Sequence, residues 1–454
     1  MKGHVPTPDD LAESMVRRAF ERRPPAAEDR ILYPGCGTAP FAAAVERVCE
    51  HEGWPIPNGT GVELDPSHLD EARERELAHL TVQQCDFLAP EMIDTEPFDF
   101  VVGNPPYVPI EGLDDDEKAR YRSTFDTAVG RFDLYLLFFE RSLSLLREDG
   151  RLTFVTPEKF EYVDTAEPLR RLLTADNIHV ERIEHLDEDA FVDHIAFPSV
   201  TTVQRDSSGP TTICLRDGSE HVVDLPDDGS SWAPAVRGYD PETMTTGATL
   251  DDVTVRISPG MATGADSVFV ASRDDVPDQL VPEWVRPTVS GRQLTANDGP
   301  RSDDLLICPY RDDGSLPDED DLGAFGDWAR LHRSRLEGRS CVTDGGKRWY
   351  AWHETPPMAD LLQPKIVFKD IEKEPRFWAE RHGDVVPRHS VYYLIPNDDV
   401  PFDDLLEYLN RADVRRWLNA NCQKAANGFL RLQSSVLRDL PVPAEWAGTY
   451  QATL

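Results

Sequence analysis

The stretch Phe98-Asp99-Phe100-Val101-Val102-Gly103-Asn104-Pro105-Pro106-Tyr107 combines an apolar run with a rigid turn. The run predicts a buried strand. The two prolines after it fix two φ angles and remove two backbone donors, so the turn holds Asn104 still. The Asn104 side-chain oxygen and the Pro105 carbonyl can then accept hydrogen bonds from an exocyclic amine on a flat ring, with Tyr107 stacked on that ring. Because Asn-Pro is a common turn dipeptide, an ordinary strand-to-loop turn is the competing interpretation.

Strands and helices alternate on both sides of this turn. Helices are predicted over residues 9–23, 40–50, 67–79 and 132–147, and strands over residues 30–33, 61–64, 81–84 and 152–156. This alternation predicts an α/β fold with a doubly wound parallel sheet. Such sheets bind ligands at the carboxyl ends of their strands. The turn at Asn104 and the residues considered next all follow strand ends.

A glycine turn follows the first predicted strand. Gly35 and Gly37 let a ligand approach the backbone at the start of a helix, where free N–H groups are available. Pro40 stands where a dinucleotide-binding motif has its third glycine, which disfavours NAD.

Acidic and aromatic residues follow the next two strands. Glu63 and Asp65 are placed to accept hydrogen bonds from ribose hydroxyls. Asp86 and Phe87 are suited to the amine and the face of an adenine. Each of these residues, taken alone, could instead be a helix cap or part of the core.

The composition limits the class of protein. At 454 residues the chain is expected to form two or three domains. The net charge of −36 is spread along the whole length, which is typical of a halophilic surface and says little about function. Seven scattered cysteines without a CxxC pair indicate reduced thiols in a cytoplasmic protein, and no metal site is predicted. No apolar run suits a signal peptide or a membrane span, so we expect no membrane contact.

The pattern of the chain changes after residue 204. We expect a first domain over residues 1–205, a linker over 206–250, a second domain over 251–445 and a tail over 446–454. Residues 206–250 are rich in Asp, Gly, Ser, Pro and Thr, and short strands dominate after them. The second domain is therefore expected to be mixed α+β.

The motifs together resemble a family, the TaqI-like gamma-class DNA adenine-N6 methyltransferases of restriction-modification systems. The matching elements are Thr7-Pro8, Pro34 to Gly37, Gly61 to Pro66, Asp86-Phe87, Gly103 to Tyr107, Phe132 to Tyr135 and Gly150 to Pro157. The resemblance implies a Rossmann-like domain that uses S-adenosylmethionine and no metal, followed by a target-recognition domain.

The resemblance also implies roles for individual residues. The cofactor-binding set is Thr7, Gly35, Gly37, Glu63, Asp65, Asp86 and Phe87. The catalytic set is Asn104, Pro105, Pro106, Tyr107 and Phe191, with Phe197 as the alternative to Phe191 for the ring on the far side of a flipped base. Tyr33 stands where the family usually has an acid near the methionine ammonium of the cofactor, which leaves that contact unassigned.

Two segments of the second domain are basic in an otherwise acidic chain. Residues 330–353 carry six basic against two acidic side chains, and residues 411–435 carry five against one. Basic groups interleaved with aromatic ones suit nucleic-acid contact. The DNA-binding candidates are Arg348, Trp349, Tyr350, Arg415, Arg416 and Lys424. Ordinary basic patches, or core aromatics with flanking charges, would give the same pattern.

The second domain also resembles the TaqI-like C-terminal specificity domain, at residues 347–350, 364–367, 405–410, 428–429 and 437–443. We therefore expect double-stranded DNA as the partner and a monomer that methylates without cleaving, because no stretch is left for a nuclease domain. A separate restriction endonuclease is a further candidate partner.

Several alternatives stay open at this point. The chain could methylate an RNA base or a protein glutamine, or it could be a non-catalytic DNA-binding subunit of a defence complex. Cytosine N4 has the same local geometry as adenine N6, so the turn at Asn104 alone does not distinguish the two bases.

Overall fold

A computed structural model of the chain describes residues 5–89, 96–187, 190–191, 197–244, 247–295, 299–425 and 428–447. The chain divides into two compact units, Met1–Asp240 and Pro241–Leu454. Each unit has its own apolar core.

The first unit is built on one nine-stranded sheet. Its strands are β1 (Arg30–Pro34), β2 (Asn58–Glu63), β3 (Leu80–Gln84), β4 (Phe98–Gly103), β5 (Leu146–Pro157), β6 (Ile178–His185), β7 (Pro198–Arg205), β8 (Thr211–Cys214) and β9 (Glu220–Val223). Its helices are α1 (Asp9–Phe20), α2 (Pro40–Glu52), α3 (Pro66–Glu74), α4 (Asp115–Thr124), α5 (Leu134–Leu145), α6 (Glu167–Leu173) and α7 (Ala233–Val236).

The strand order is β3-β2-β1-β4-β5-β7-β6-β8-β9. The first five strands in this order pair in parallel, whereas β7 is antiparallel to both β5 and β6. The α/β fold class is therefore confirmed, but the sheet is mixed rather than wholly parallel. β4 is buried along its whole length, as expected of a central parallel strand covered on both faces.

The predicted linker is wrong, because residues 206–250 contain part of the first unit. β8 pairs in parallel with β6, and β9 pairs with β8. Trp232 is fully buried in the core of the first unit. The Gly, Asp and Ser residues of this segment serve tight turns around a hairpin, so the compact unit ends at Asp240 instead of residue 205.

One helix boundary also differs from the prediction. α5 ends at Leu145, and β5 begins at Leu146, whose backbone is extended with φ −80° and ψ 132°. Gly150 therefore lies inside β5 and does not close the helix.

The second unit is a mixed α+β structure, as predicted. Its strands are β10 (Gly247–Thr249), β11 (Thr254–Pro259), β12 (Val270–Ser272), β13 (Val285–Val289), β14 (Asp304–Ile307), β15 (Lys365–Lys369), β16 (Ile371–Glu372), β17 (Phe377–Glu380), β18 (Val386–Pro387), β19 (Val391–Pro396), β20 (Gln423–Ala425), β21 (Phe429–Arg431) and β22 (Pro441–Pro443). Its helices are α8 (Asp266–Phe269), α9 (Gly323–Leu331), α10 (Arg333–Glu337), α11 (Ser340–Thr343), α12 (Met358–Leu361), α13 (Phe402–Leu409), α14 (Ala412–Asn421) and α15 (Ser434–Arg438).

The strands of the second unit form several small sheets. Two have four strands, in the orders β11-β19-β15-β17 and β12-β14-β13-β18, one joins β16, β21 and β20, and one pairs β10 with β22. Lys365 and Glu380 form a fully buried ion pair between β15 and β17, with Nζ 2.7 Å from Oε2. Across the described ranges, none of the helices is long and apolar enough to cross a membrane.

Candidate active site

The turn after β4 fixes the orientation of Asn104. Its side-chain nitrogen donates to the Val5 carbonyl and to the Thr7 hydroxyl, both at 3.1 Å. Since the Val5 carbonyl can only accept, the Asn104 side-chain oxygen must point the other way. Thr7, which was predicted only from the family resemblance, therefore lies beside Asn104.

Tyr107 engages that oxygen. The Tyr107 hydroxyl lies within hydrogen-bond distance of Asn104 Oδ1 and, at 3.0 Å, of the Val155 carbonyl. Burial raises the pKa of the Tyr107 phenol well above its ordinary value, so the group remains a neutral donor. The expectation that the Asn104 side-chain oxygen and the Pro105 carbonyl are both free is thus corrected for Asn104. The Asn104 oxygen keeps one lone pair for a second donor. Among the described residues none donates to the Pro105 carbonyl.

Two cavities meet at Asn104, which lines both of them together with Val5 and Gly35. The first has a volume of about 270 Å³ and is lined by carboxylates and rings that include Glu63, Asp86, Phe87, Tyr121 and Phe138. The second has a volume of about 310 Å³ and is lined by Thr7, Gly37, Thr38, Phe41 and Arg75 among others. Six of the seven predicted cofactor-binding residues therefore line one cavity or the other.

The turn between β1 and α2 requires glycine at two positions because of its backbone conformation. Gly35 and Gly37 have φ values of 60° and 53°, in the left-handed region that side chains with a Cβ rarely adopt. Cys36 lies between them with a buried thiol. Burial and the nearby Glu63 carboxylate raise the pKa of Cys36 to about 12, so the thiol is neutral and unreactive.

Glu63 ties this glycine turn to the end of β2. One carboxylate oxygen accepts from the backbone N–H groups of Leu64 and Asp65, each at 2.8 Å, and the other accepts from Gly37 at 2.9 Å. The side chain is buried. Glu63 thus organises two ligand-facing turns and has one lone pair left to accept from a ligand hydroxyl.

Asp65 is the predicted cofactor residue that the structure does not bring to either cavity. Its carboxylate accepts from the Ser67 backbone N–H at 2.9 Å and from the Ser67 hydroxyl at 2.6 Å, which caps α3. An acid just before a Pro-Ser helix start is a common N-cap. The expectation that Asp65 binds the cofactor is corrected accordingly.

Phe191 and Phe197 have different surroundings. Phe191 is buried in an apolar cluster against which Tyr107 packs. The Arg216 guanidinium lies over the Phe197 ring, 5.0 Å from the ring centroid. The backbone of Phe197 has a φ of 58°. The structure therefore brings Phe191, and not Phe197, into one cluster with the turn residue Tyr107.

Tyr33 occupies the position where the family usually has an acid, but its side chain does not perform the role that the resemblance gives to that acid. Its ring is buried in the core and its hydroxyl has no hydrogen-bond partner within the described part of the chain. A Cβ on Gly59 would lie 2.9 Å from this ring. The side chain faces Gly59 on β2, and it lines neither cavity.

A buried charge cluster lies after the carboxyl ends of β5 and β6. His185 Nε2 is 3.0 and 3.1 Å from the two Glu161 carboxylate oxygens and 3.9 Å from Glu158, which pairs with Arg216. Burial alone would lower the pKa of His185, but the Glu161 carboxylate outweighs it and raises the pKa. Sequence reasoning missed this cluster, because its members are far apart in the chain.

This pair predicts a pH dependence of stability. Because the folded-state pKa of His185 lies above its unfolded value, its stabilising contribution is present below about pH 6.5 and is lost as the pH rises through the folded pKa. We expect Glu161→Gln to remove this component, measured as the change in urea-unfolding free energy between pH 6 and pH 9. Glu167→Gln, which alters an exposed partner of Arg171, is the control and should keep the wild-type slope.

The aromatic candidates of the first basic segment are core residues. Trp349 and Tyr350 are 7% and 1% exposed and pack in the core of the second unit with Trp352. Arg348 donates to the Pro317 carbonyl at 2.7 Å and pairs with Asp318 at 2.6 Å. The expectation that Trp349 and Tyr350 stack on bases is corrected, and Arg348 is already engaged within the unit.

The second basic segment is more open. Arg415 donates to the Asn410 carbonyl at 2.6 Å, whereas Arg411 pairs with Asp413. Arg416 is exposed on α14 and has no ion pair within the described ranges. Lys424 lies on β20 and is half-buried. Of the predicted DNA-binding residues, Arg416 is the cation most available to an outside partner.

No group of three or more His, Cys, Asp or Glu side chains that could hold a metal ion occurs among the described residues. All seven cysteines are buried, and none of them forms a disulfide bond. Backbone turns, carboxylates and rings are prominent in the lining of the two cavities.

The chain is similar to several known proteins. Residues 62–191 match the family described as Eco57I restriction-modification methylase. The Type II methyltransferase M.PaeR7I of Pseudomonas aeruginosa is 28% identical over 98% of this chain and 86% of its own length. M.XhoI of Xanthomonas vasicola is 25% identical over 92% of this chain and 86% of its own length.

The fold has a solved counterpart. The Type IIL restriction-modification enzyme MmeI, solved in complex with DNA, superposes with a TM-score of 0.63 at 12% identity, over 95% of this chain and 64% of that chain. The chain is therefore similar to Type II methyltransferases along nearly its whole length, and its residues 62–191 match the Eco57I restriction-modification methylase family.

Proposed function

We propose that the protein is a site-specific DNA methyltransferase of a restriction-modification system, which transfers the methyl group of S-adenosylmethionine to the N6 amine of adenine. The observation that carries the proposal is the position of Asn104. This side chain lines both cavities, and beside it the Pro105 carbonyl receives no hydrogen bond from any described residue. A cofactor held in the cavities and an amine held by the turn would meet at this point.

The residues of the two cavities fit S-adenosylmethionine. The carboxylates and rings of the first cavity suit a nucleoside, with Glu63 toward the ribose and Asp86 and Phe87 toward the adenine. The glycine turn and Thr7 of the second cavity suit the amino-acid end. When bound, the cofactor supplies a methyl group on a positively charged sulfur.

The turn residues act on the target base. The base leaves the duplex stack, because its amine cannot be reached inside the helix. Its amine donates to Asn104 Oδ1 and to the Pro105 carbonyl, which draws the nitrogen lone pair out of conjugation and directs it toward the methyl group. Tyr107 and Phe191 hold the ring. Preorganised acceptors of this kind stabilise the positive charge that develops on the nitrogen, so no strong base is needed.

We also propose that the second unit binds the DNA. The similarity to M.PaeR7I runs through both units, and Arg416 is an exposed cation without an acidic partner in the described part of this very acidic chain. An unpaired arginine of this kind suits a phosphate, which contributes affinity without sequence preference.

Arg416→Gln is expected to weaken binding to all duplex sequences alike. It should also reduce the slope of log affinity against log salt concentration by about one, because one phosphate contact is lost. Fluorescence-anisotropy titrations at several salt concentrations measure both. Arg411→Gln is the control, since Arg411 is already paired with Asp413. Unchanged affinity and slope for Arg416→Gln would remove this residue from the DNA-binding surface.

Transfer of radiolabelled methyl groups tests the proposed function. The protein is incubated with labelled S-adenosylmethionine and with duplex DNA, transfer RNA or a protein substrate in separate reactions. Label in DNA alone supports the proposal, and label in RNA or protein contradicts it. Cytosine N4 is the second candidate target, because the turn accepts from any exocyclic amine. Chromatography of the digested nucleosides separates the two products.

A further inference from the structure

Helix α4 forms part of the first cavity, although its sequence gives no sign of a ligand. The helix begins with a capping box between Asp114 and Glu117, and Tyr121 is its buried residue, 4% exposed. Glu117 and Tyr121 both line the first cavity. An otherwise polar helix therefore places its one buried ring against the space proposed for the cofactor adenosine.

Arg120, next to Tyr121, reaches the predicted adenine-binding acid. Its Nη2 lies 2.8 Å from Asp86 Oδ2 and 3.1 Å from the Tyr121 hydroxyl, and its guanidinium lies 4.9 Å from the Tyr121 ring centroid. The other Asp86 oxygen accepts from the Leu88 backbone N–H at 2.9 Å. Each carboxylate oxygen thus has one fixed donor, and each retains a lone pair.

We propose that Tyr121 is a cofactor-binding residue and that Arg120 is a positioning residue for Asp86. Tyr121 forms a wall of the adenosine cavity, and Arg120 positions the Asp86 carboxylate so that Oδ2 accepts from the adenine amine. The assignment rests on the proposed function, in that the ligand of the first cavity is S-adenosylmethionine. It adds α4, a helix that follows the catalytic turn, to a pocket that strand ends and Phe138 of α5 also line.

The alternative is that Arg120 and Asp86 form an ordinary surface ion pair. Such pairs contribute little to stability because solvent screens them and both side chains lose freedom. The two interpretations differ in what they predict: an ordinary pair has no consequence for ligand affinity. A positioning pair affects ligand affinity while leaving stability nearly unchanged.

Calorimetric titration of the full-length protein with S-adenosylmethionine separates them. We expect Arg120→Gln to weaken binding about tenfold, as loss of one charge-assisted positioning contact would, and Tyr121→Ala to weaken it at least as much. Arg122→Gln is the matched control, because Arg122 lies on the same helix and donates to the Gly130 carbonyl. It should bind like the wild type. Melting temperatures, measured in parallel, should be nearly equal for Arg120→Gln and Arg122→Gln.

A second ligand locates the effect within the cofactor. 5′-Methylthioadenosine carries the adenosine part without the amino acid. Arg120→Gln should therefore weaken the binding of this ligand by the same factor as the binding of S-adenosylmethionine. If the wild-type protein binds S-adenosylmethionine and Arg120→Gln binds it with the same affinity, the assignment of Arg120 is overturned while the proposed function stands. A wild-type protein that binds neither ligand would overturn the assignment together with the proposed function. If Arg120→Gln did not fold, Arg120→Lys, which keeps the charge and loses the planar fork, should still bind more weakly than wild type.

Discussion

Asn104→Ala is expected to reduce methyl transfer by about 100- to 1,000-fold, because one preorganised acceptor at a developing charge contributes about 3–4 kcal/mol to transition-state stabilisation. Binding of cofactor and DNA should stay within about tenfold of wild type, since transfer depends on Asn104 Oδ1 and most of the binding surface lies elsewhere. Single-turnover methylation assays, combined with equilibrium titrations of both ligands, measure the two quantities separately.

The structure supplies a control for this variant. Asn104 also donates to Val5 and Thr7, so alanine additionally removes two hydrogen bonds that hold the N-terminal segment. Thr7→Val removes the Thr7 acceptor but keeps the Asn104 oxygen, and it should lose far less activity. Near-normal transfer by Asn104→Ala, or equal losses in both variants, would show that the oxygen does not polarise the amine.

Glu63→Ala should weaken S-adenosylmethionine binding by about 1–3 kcal/mol, or roughly 5- to 150-fold. The carboxylate accepts from three backbone N–H groups on two turns that face the cavities, and it has one lone pair left for the ribose. Its loss removes a ligand contact and loosens both turns. Isothermal titration calorimetry measures the affinity, and thermal unfolding measures the accompanying loss of stability.

Asp65→Ala is the matched control for Glu63→Ala. It removes a neighbouring carboxylate that caps α3, which should cost about 1 kcal/mol of stability. Its cofactor affinity should stay close to that of the wild type. Equal affinity losses in the two variants, or tighter binding of NAD than of S-adenosylmethionine, would redirect the assignment of the first cavity.

Much of the site could be predicted because residues at the carboxyl ends of parallel strands meet at one edge of a sheet. Glu63 ends one strand, Asp86 and Asn104 follow two others, and the structure brings all three together around two adjoining cavities. Strand periodicity and turn residues indicate such ends directly. The antiparallel placement of β7 could not be predicted, because a buried apolar run indicates a strand without its direction.

Other features depended on contacts that local patterns do not carry. The hydrogen bond between the Tyr107 hydroxyl and Asn104 Oδ1 arises from the fold of the turn. The sequence of the turn alone permits several side-chain rotamers and so does not predict this bond. Trp349 and Tyr350 lie in a basic segment, yet their burial is decided by the surrounding core and not by the flanking charges. Asp65 lies two residues after Glu63, which ends β2, and only the structure shows that Asp65 caps a helix.

The residues of α4 show a further limit. Arg120 and Tyr121 lie in a polar helix without an apolar stripe, so its sequence indicates a solvated surface. Their contacts with Asp86 and with the first cavity depend on where the segment between Tyr107 and α5 folds back. Such placement is set by the tertiary structure alone.

The most direct test of the central claim is to map methylated bases after incubating the purified protein with unmethylated duplex DNA and S-adenosylmethionine. Single-molecule sequencing of the product identifies both the modified base and its sequence context. We expect N6-methyladenine at one short recognition sequence, and about 100- to 1,000-fold slower modification when Asn104→Ala replaces the wild-type protein. Unmodified DNA, or methyl groups scattered without a common sequence, would contradict the proposal of a site-specific DNA methyltransferase.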